Sequence, residues 1–186
     1  MVPCTRIPTL FGTTQDKILI TSLILICGTN IEEGFGLAYR IIQDLSLDAD
    51  KIYGITSKYL SLNNRLHDVE KLIDCIKSNS SKPETVICDK ILSLAVQTAF
   101  SAHLTTHQKS VMENLIRLIS DVGVQINCHI MSGQLKAAYL LAVNHRRTND
   151  IRRIARHAES MNQPQVKKLC EKKLSSLEDM PSTKKA

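Results

Sequence analysis

The stretch from Gly133 to Leu174 constrains the fold most, because it encodes three short amphipathic helices in succession. In each of them apolar residues recur at or near i, i+3, i+4 and i+7, the spacing that lines one face of a helix. The first stripe is Leu135, Ala138, Tyr139 and Ala142, the second is Ile151, Ile154, Ala155 and Ala158, and the third is Val166, Leu169, Cys170 and Leu174. Helices joined by such short connections must be antiparallel neighbours.

Polar residues, a glycine and a proline mark the ends of these helices. Asn149 is a predicted N-cap of the second helix, and Asn162 followed by Pro164 is typical of an N-cap with a first-turn proline in the third. Gly133 lies where a C-terminal glycine is expected for the helix before the first. The segment therefore predicts one end of a helical stack, which is an interaction surface rather than an active site.

The rest of the chain continues the same pattern. Only 4% of the residues are aromatic, Trp is absent, and Gly and Pro number 7 and 5, so the 43% hydrophobic fraction is mostly aliphatic and favours helices over a turn-rich β fold. The prediction is an all-α fold of about ten helices, an α-solenoid of antiparallel helical hairpins that is tetratricopeptide-like with degenerate repeats. One helix within it is predicted to bury Ile52, Ile55, Tyr59 and Leu62.

The predicted domain organisation is simple. Residues 1–15 form an N-terminal extension, residues 16–174 form the solenoid domain, and residues 175–186 form a polar tail that lacks periodicity and is expected to be disordered. The apolar run 18–27 is far shorter than the roughly 20 residues needed to span a bilayer. It is predicted to be a core helix, although its β-branched residues would also suit a strand. Because it is almost wholly apolar, the N-terminal end of the stack is expected to be the self-associating one.

No catalytic, cofactor or metal site is predicted. His103 and His107 have the i, i+4 spacing of a metal-binding pair, but they flank a break in periodicity and have no nearby Cys or carboxylate. Cys128 beside His129 lies in an apolar pattern without an orienting acid. The segment GTNIEEGFG lacks the spacing and the Lys of a phosphate-binding loop. The six scattered cysteines include no C-x-x-C pair and are expected to be buried free thiols in a reducing compartment.

The excess of basic over acidic residues lies entirely in the C-terminal part of the chain. Residues 134–186 hold 12 Lys and Arg against 5 Asp and Glu, whereas residues 1–133 hold 12 against 13. A basic surface on the last helices is therefore a predicted partner-binding site. Its residues are Arg146, Arg147, Arg152, Arg153, Arg156, Lys167 and Lys168.

Such a surface could meet an acidic protein, acidic lipid headgroups or nucleic acid, and the competing interpretation is an ordinary solvated helix face. Nucleic acid ranks below the other two partners, because no aromatic residues are interleaved to stack on bases. A basic helical module that binds nucleic acid is nevertheless kept as the alternative function.

Several ordered segments resemble the C-terminal region of the spastizin family of FYVE-domain centrosomal proteins. They are NIEEGFGLAYRIIQDLSLDADKIY at 30–53, DVEKLIDCIKSN at 68–79, LKAAYLLAV at 135–143 and IRRIARHAESMNQPQVKKLCEKKL at 151–174. The resemblance covers most of residues 30–174 and rests on helical segments, not on a catalytic signature. It implies a C-terminal α-solenoid portion that acts as a non-catalytic protein-interaction scaffold.

The resemblance also implies a cellular setting. The expected partners are spatacsin-like proteins and adaptor protein complex 5, on the cytoplasmic face of late endosomes and lysosomes. The expected processes are lysosome reformation, autophagosome maturation and cytokinesis, with the centrosome and midbody as further locations. The family's FYVE zinc finger has no counterpart here, because paired C-x-x-C motifs and an R-H-H-C-type loop are absent from the sequence. Zinc and phosphoinositide binding are therefore not carried over.

Overall fold

The computed structural model describes residues 12–28, 30–79, 85–101 and 106–178, and all of its regular structure is helical. Ten helices lie within these residues. They are α1 (Thr14–Cys27), α2 (Ile31–Leu45), α3 (Ala49–Leu62), α4 (Leu66–Asn79), α5 (Thr85–Ser101), α6 (Thr106–Leu118), α7 (Val122–Met131), α8 (Leu135–Asn144), α9 (Thr148–Ser160) and α10 (Pro164–Glu178). The predicted all-α fold is confirmed.

The helices form antiparallel hairpins, α1/α2, α3/α4, α5/α6, α7/α8 and α9/α10, which divide into two compact units, Met1–Leu118 and Ile119–Ala186. In the first unit α1, α3 and α5 pack side by side as one layer, and α2, α4 and α6 form the second layer. In the second unit α7 contacts α9, and α8 contacts α10. Within each unit, the first helix of one hairpin contacts the first helix of the next, and the second helices contact each other in the same way. This is the packing of a helical-repeat fold.

The apolar run 18–27 is helical, as predicted, and a strand is excluded there. Thr13 caps α1, because its hydroxyl accepts from the Asp16 N–H at 3.2 Å while the Asp16 carboxylate accepts from the Thr13 N–H at 2.7 Å. The Thr13 hydroxyl also donates to Asp16 Oδ2 at 2.7 Å, and this bond, followed by the bond from the Thr13 N–H, lowers the pKa of Asp16. The helix starts two residues before the predicted boundary at 16, and α10 continues to Glu178, past the predicted end at 174.

The buried face of α3 differs from the prediction. Tyr59 is 44% exposed and Leu62 is 60% exposed, whereas the buried residues are Ile52, Tyr53, Thr56, Ser57, Leu60 and Ser61. Ile52 is buried as predicted and Ile55 is half-buried, but hydrophobicity alone was wrong for Tyr59 and Leu62. Because α3 lies between α1 and α5, close approach favours small hydroxyl side chains over large aliphatic ones on that face.

Those hydroxyls are satisfied by backbone carbonyls of neighbouring turns and helices. The Ser57 Oγ donates to the Ile91 carbonyl on α5 at 3.2 Å, and the Ser22 Oγ of α1 lies 3.4 Å from the Ile52 carbonyl on α3. Ser22 also donates to Ile18 O within its own helix at 2.8 Å. A buried hydroxyl without such partners would destabilise the layer, so these bonds make the polar face compatible with a core position.

Five helix ends share one left-handed turn. The residues with positive φ at these ends are Ser46, Asn64, Gly133, Arg146 and Asn162. After each of them the next N–H donates to the carbonyl five residues earlier, as Arg147 N does to Ala142 O at 2.8 Å and Gln163 N to Ala158 O at 2.8 Å. This is the bond of a Schellman motif, and it satisfies carbonyls that the helix end leaves unpaired.

The turns correct two predicted caps. Asn149 lies inside α9, whose N-cap is Arg147, and Asn162 is the left-handed residue that ends the preceding helix (φ 52°). Asparagine tolerates this left-handed conformation. The turn therefore explains the asparagine at this position, and a capping role is not needed. Pro164 is the first residue of α10, as predicted, because a proline at that position loses no helical hydrogen bond.

The second unit has its own core. It is built from the stripes predicted on α8 and α9 together with residues of α7 and α10: Ile126, Ile130, Leu135, Ala138, Ala142, Ile151, Ile154, Ala158, Val166 and Cys170. Tyr139, Ala155 and Leu174 pack against it, whereas Leu169 is 40% exposed and does not belong to it. The predicted stripes of these three helices are otherwise confirmed.

Candidate functional site

The seven predicted partner-binding residues all lie in the second unit, on the turn between α8 and α9, on α9 itself and on the first turns of α10. Below, "basic surface" means these seven residues. Arg146, Arg147, Arg152, Arg156 and Lys168 are exposed, and Arg153 and Lys167 are half-buried. The structure thus places them on one compact unit, but it does not leave all of them equally available.

Asp150 holds two of the arginines. Its Oδ2 lies 2.6 Å from Arg147 Nε and its Oδ1 lies 3.0 Å from Arg153 Nη2, and its side chain is only 14% exposed. A carboxylate that binds one guanidinium with each oxygen fixes both side chains, as charge-assisted pairs do. Arg147 and Arg153 are therefore structural members of the basic surface, and a bound partner would have to compete with Asp150 for them.

The position of Arg147 also depends on the start of α7. A Cβ added to Gly123 would lie 2.8 Å from Arg147 Nη2 and 3.0 Å from Asp121 Oδ1. The absence of a side chain at Gly123 therefore lets this guanidinium reach across from the α8–α9 turn to the first turn of α7.

Lys167 is also ion-paired. Its Nζ donates to Glu159 Oε1 at 2.9 Å and lies 3.9 Å from Glu171 Oε1. The hydrogen bond to Glu159 is the main cause that raises the pKa of Lys167, and the charges of Glu159 and Glu171 add to it. Because this amine is at the surface, water screens the pair, and its contribution to stability is small.

Three cations of the basic surface have no ion-pair partner among the described residues: Arg146, Arg156 and Lys168. Arg146 occupies the left-handed turn position (φ 53°), and its neighbours 147–150 line a surface depression with it. Arg152 differs from these three cations, because its Nη1 lies 3.4 Å from the amide oxygen Oδ1 of Asn149. The charge that the surface offers to a partner comes first from Arg146, Arg156 and Lys168.

Sequence reasoning missed Asp150 as the organiser of this surface. The signal is an Arg-x-x-Asp spacing across a helix start, and it occurs twice. Arg65 and Asp68 at the start of α4 make the same 2.6 Å contact between Nε and Oδ2 as Arg147 and Asp150 make at the start of α9. The arginine precedes the helix and the aspartate lies in its first turn, where a carboxylate is favoured by the helix dipole.

Among the described cysteines, Cys75 and Cys170 have raised pKa values. Cys88, Cys128 and Cys170 are buried, as predicted, Cys75 is half-buried, and Cys27 is exposed, contrary to the prediction. Burial raises the pKa of Cys170 to about 11, and burial also raises the pKa of Cys75. A thiol with a raised pKa is a poor nucleophile at neutral pH.

No group of three or more His, Cys, Asp or Glu side chains converges within the described ranges. His103 of the pair with metal-binding spacing lies outside those ranges, as does Cys4, one of the six cysteines. The ten helices include none that is both long enough and apolar enough to cross a bilayer.

Comparisons with known proteins agree with the predicted resemblance. The chain is 28% identical over 167 residues to Zinc finger FYVE domain-containing protein 26 from Ailuropoda melanoleuca and from Homo sapiens, and 27% identical to that of Rattus norvegicus. The alignments cover 88% of this chain and 6% of each relative. No solved structure is significantly similar to it.

A family model described as "ZFYVE26-like, TPR repeats" matches residues 48–175, a span that runs from the start of α3 to the last turn of α10. This description agrees with the helical hairpins of both units. The chain therefore belongs to the ZFYVE26-like family of TPR repeats, the family of spastizin.

Proposed function

We propose that this chain is a non-catalytic scaffold that binds protein partners through its basic surface. The observation that carries the proposal is a group of exposed cations, Arg146, Arg156 and Lys168, that have no ion-pair partner within the described part of the chain and lie on a helical-repeat unit. Helical repeats present extended faces to other proteins, and a fixed framework of paired charges such as Arg147–Asp150–Arg153 holds such a face in shape.

The family resemblance supports a cellular setting for this scaffold. We propose spatacsin-like proteins and adaptor protein complex 5 as partners, at late endosomes and lysosomes. Lysosome reformation, autophagosome maturation and cytokinesis are the proposed processes, with the centrosome and midbody as additional sites. The basic surface would contribute electrostatic complementarity, which favours fast association and partner choice more than it adds affinity.

The acidic partner is proposed to be a protein because aromatic residues are missing from this part of the sequence. No Phe, Tyr or Trp follows Tyr139, so α9 and α10 have none to stack on nucleic-acid bases. Nucleic acid binding through phosphates alone would depend steeply on salt, with an affinity that falls by orders of magnitude over a few-fold change in concentration.

The test is affinity purification of the full chain from cells, followed by mass spectrometry. The triple variant Arg146→Glu, Arg156→Glu and Lys168→Glu is expected to lose spatacsin-like or adaptor subunits that the unaltered chain recovers. The matched control, Arg40→Glu, Lys77→Glu and Lys109→Glu, reverses three exposed cations of the first unit and should keep them.

Two results would contradict the proposal. Recovery of the same subunits by the triple variant would exclude the basic surface as the binding site. Retention of the purified chain on single-stranded or duplex DNA at physiological salt, lost in the triple variant but kept in the control, would favour the nucleic-acid module instead.

A further inference from the structure

Exposed apolar side chains of the first unit concentrate on one helix layer. Of the large apolar residues that this unit exposes, most belong to the α1/α3/α5 layer. They are Leu19, Leu23, Tyr59, Leu62, Val86 and Phe100, whereas the α2/α4/α6 layer exposes Leu37 and Leu118. Scattered exposed apolar residues are ordinary on protein surfaces, but clusters on one face mark interaction sites.

The centre of this face is a stripe on α3. Ile55, Tyr59 and Leu62 follow each other at i, i+4 and i+7, so they lie on one side of the helix, with Ile55 half-buried and the other two exposed. Because α3 has α1 and α5 beside it and α4 beneath it, this side points away from the second layer. We name these three residues the α3 outer stripe.

A second apolar stripe lies on α1, which packs beside α3. Leu19 (44% exposed) and Leu23 (52% exposed) are one turn apart, and no charged residue occurs between 18 and 27. The two helices approach closely here, because Ser22 Oγ of α1 lies 3.4 Å from Ile52 O of α3. The buried side of α1 faces its neighbours, whereas the side that carries Leu19 and Leu23 has no covering neighbour among the described residues.

The charges around these stripes indicate what the missing neighbour is. Three carboxylates of this layer have partners: Asp16 accepts hydrogen bonds from the Thr13 N–H and hydroxyl at 2.7 Å, Asp48 lies 3.0 Å from Lys51 Nζ, and Asp50 lies 3.5 Å from Lys90 Nζ. Lys58, next to Tyr59 in α3, is exposed and has no ion-pair partner among the described residues. The unsatisfied charge beside the apolar stripe is therefore positive, and a complementary partner is acidic at its flank.

We propose that the α3 outer stripe together with Leu19 and Leu23 of α1 is a docking surface for an amphipathic helix of a partner protein, with an aliphatic face and acidic flanks. The aliphatic face would pack over the two stripes on the outer side of the α1/α3/α5 layer, and a flanking carboxylate would pair with Lys58. The inference rests on the proposed protein-binding role, but it uses a surface on the other unit and does not require the basic surface.

The test uses synthetic peptides and the full chain. The probe is a fluorescein-labelled helical peptide with Leu at i, i+3, i+4 and i+7 and Glu on both flanks, and its dissociation constant is measured by fluorescence anisotropy. We expect it to bind at least about tenfold more tightly than a peptide with Lys flanks or a scrambled peptide. Equal binding of the three peptides, or no binding of the Glu-flanked one, would overturn the proposal.

Variants assign the binding to the surface. Tyr59→Glu with Leu62→Glu should weaken the Glu-flanked peptide by at least about tenfold. Leu37→Glu is the matched control, because Leu37 is 50% exposed but belongs to the other layer, and its binding should stay unchanged. The single variant Lys58→Glu reverses one charge and removes no apolar side chain. It should weaken binding of the Glu-flanked peptide and strengthen binding of the Lys-flanked one. Circular dichroism verifies that each variant is folded, and unchanged binding in folded Lys58→Glu would overturn the role of Lys58.

Other occupants give different results. If a second copy covers the face, analytical ultracentrifugation of the chain alone would show a dimer that Tyr59→Glu with Leu62→Glu dissociates, and the proposal would be wrong. Sedimentation with phosphatidylcholine vesicles, lost in the same variant, would assign the face to lipid and overturn it equally. The Arg146, Arg156 and Lys168 triple variant should bind the peptide normally, so failure of the basic surface and failure of this inference are distinguishable.

Discussion

The two glycines of α2 show how much a single residue can decide in this chain. A Cβ on Gly34 would lie 2.5 Å from the Leu25 carbonyl oxygen and 3.0 Å from that of Ile24, both in the backbone of α1. A Cβ on Gly36 would meet nothing within 4 Å. In the sequence these glycines form part of a segment that had to be excluded as a phosphate-binding loop. Gly34 instead permits the close approach of α1 and α2.

The same substitution is therefore expected to have opposite effects at the two sites. Gly34→Ala should lower the free energy of unfolding by about 1–3 kcal/mol, because a backbone carbonyl cannot move aside as a flexible side chain can. Gly36→Ala should raise it by up to about 1 kcal/mol through helix propensity. Urea unfolding followed by circular dichroism measures both, and a destabilising Gly36→Ala or a neutral Gly34→Ala would contradict the packing described.

Thiol reactivity is expected to separate Cys27 from Cys170. With its pKa raised to about 11, Cys170 is ionised in only about one molecule in a thousand at pH 8, and its side chain is fully buried. Iodoacetamide at pH 8 should label the exposed Cys27 within minutes and leave Cys170 unmodified until the protein is unfolded. Peptide mapping by mass spectrometry measures this, and comparable rates for the two thiols in the native protein would contradict it.

Five helix ends share one turn geometry, although different residues occupy it. The sequence alone does not predict that these ends are alike. Gly133 was recognisable as a C-terminal glycine, whereas Arg146 and Asn162 occupy equivalent left-handed positions without a glycine signal. The sequence predicted that the connections would be short and the helices antiparallel. It did not predict the shared turn, because any residue that tolerates a positive φ can occupy it at a modest conformational cost.

Substitutions at two of these turns should have opposite effects. Arg146→Gly removes the strain of a left-handed arginine and should stabilise the second unit by about 1 kcal/mol, whereas Gly133→Ala should destabilise it by a similar amount. Nothing lies within 4 Å of a Cβ on Gly133, so only its φ of +73° opposes alanine. Thermal unfolding of both variants tests the expectation. A destabilising Arg146→Gly would mean that its side chain contributes more than the turn costs.

At the scale of the whole molecule, the two compact units raise the question of cooperativity. Each unit has its own buried residues, represented by Leu72 in the first and Ile154 in the second. The single domain over 16–174 expected from the sequence stays a prediction. Continuous helical periodicity cannot reveal where one compact unit ends and the next begins, since every hairpin carries the same kind of apolar stripe.

Native-state hydrogen exchange decides between one cooperative domain and two. Ile154→Ala should lose amide protection in α7–α10 with little change in α1–α6, and Leu72→Ala should do the reverse, because each cavity weakens the core that contains it. Loss of protection throughout the chain in both variants would establish one cooperative domain and contradict the expectation of independent units.

The sequence predicted helices well and surfaces less well, for a physical reason. Where one face is polar, as in α9, periodicity identifies the core stripe, and Ile151 and Ile154 are buried as predicted. Where a helix is apolar on two sides, as in α1 and α3, the buried side is chosen by how closely its neighbours approach. The availability of the arginines likewise depends on Asp150, whose contacts to Arg147 and Arg153 require the folded turn.

The hydroxyl-to-carbonyl contacts inside the first unit help to preform its outer face before any helix binds there. Sliding α3 by one turn, about 5.4 Å, would separate the buried Ser57 hydroxyl from Ile91 O and would break the 3.4 Å contact of Ser22 with Ile52 O, although Ser22 would keep Ile18 O as its acceptor. The spacing between the outer stripes of α1 and α3 is therefore set when the chain folds. A helix that docks there meets a rigid template, so the entropy of aligning the two stripes is lost during folding and not at the moment of binding.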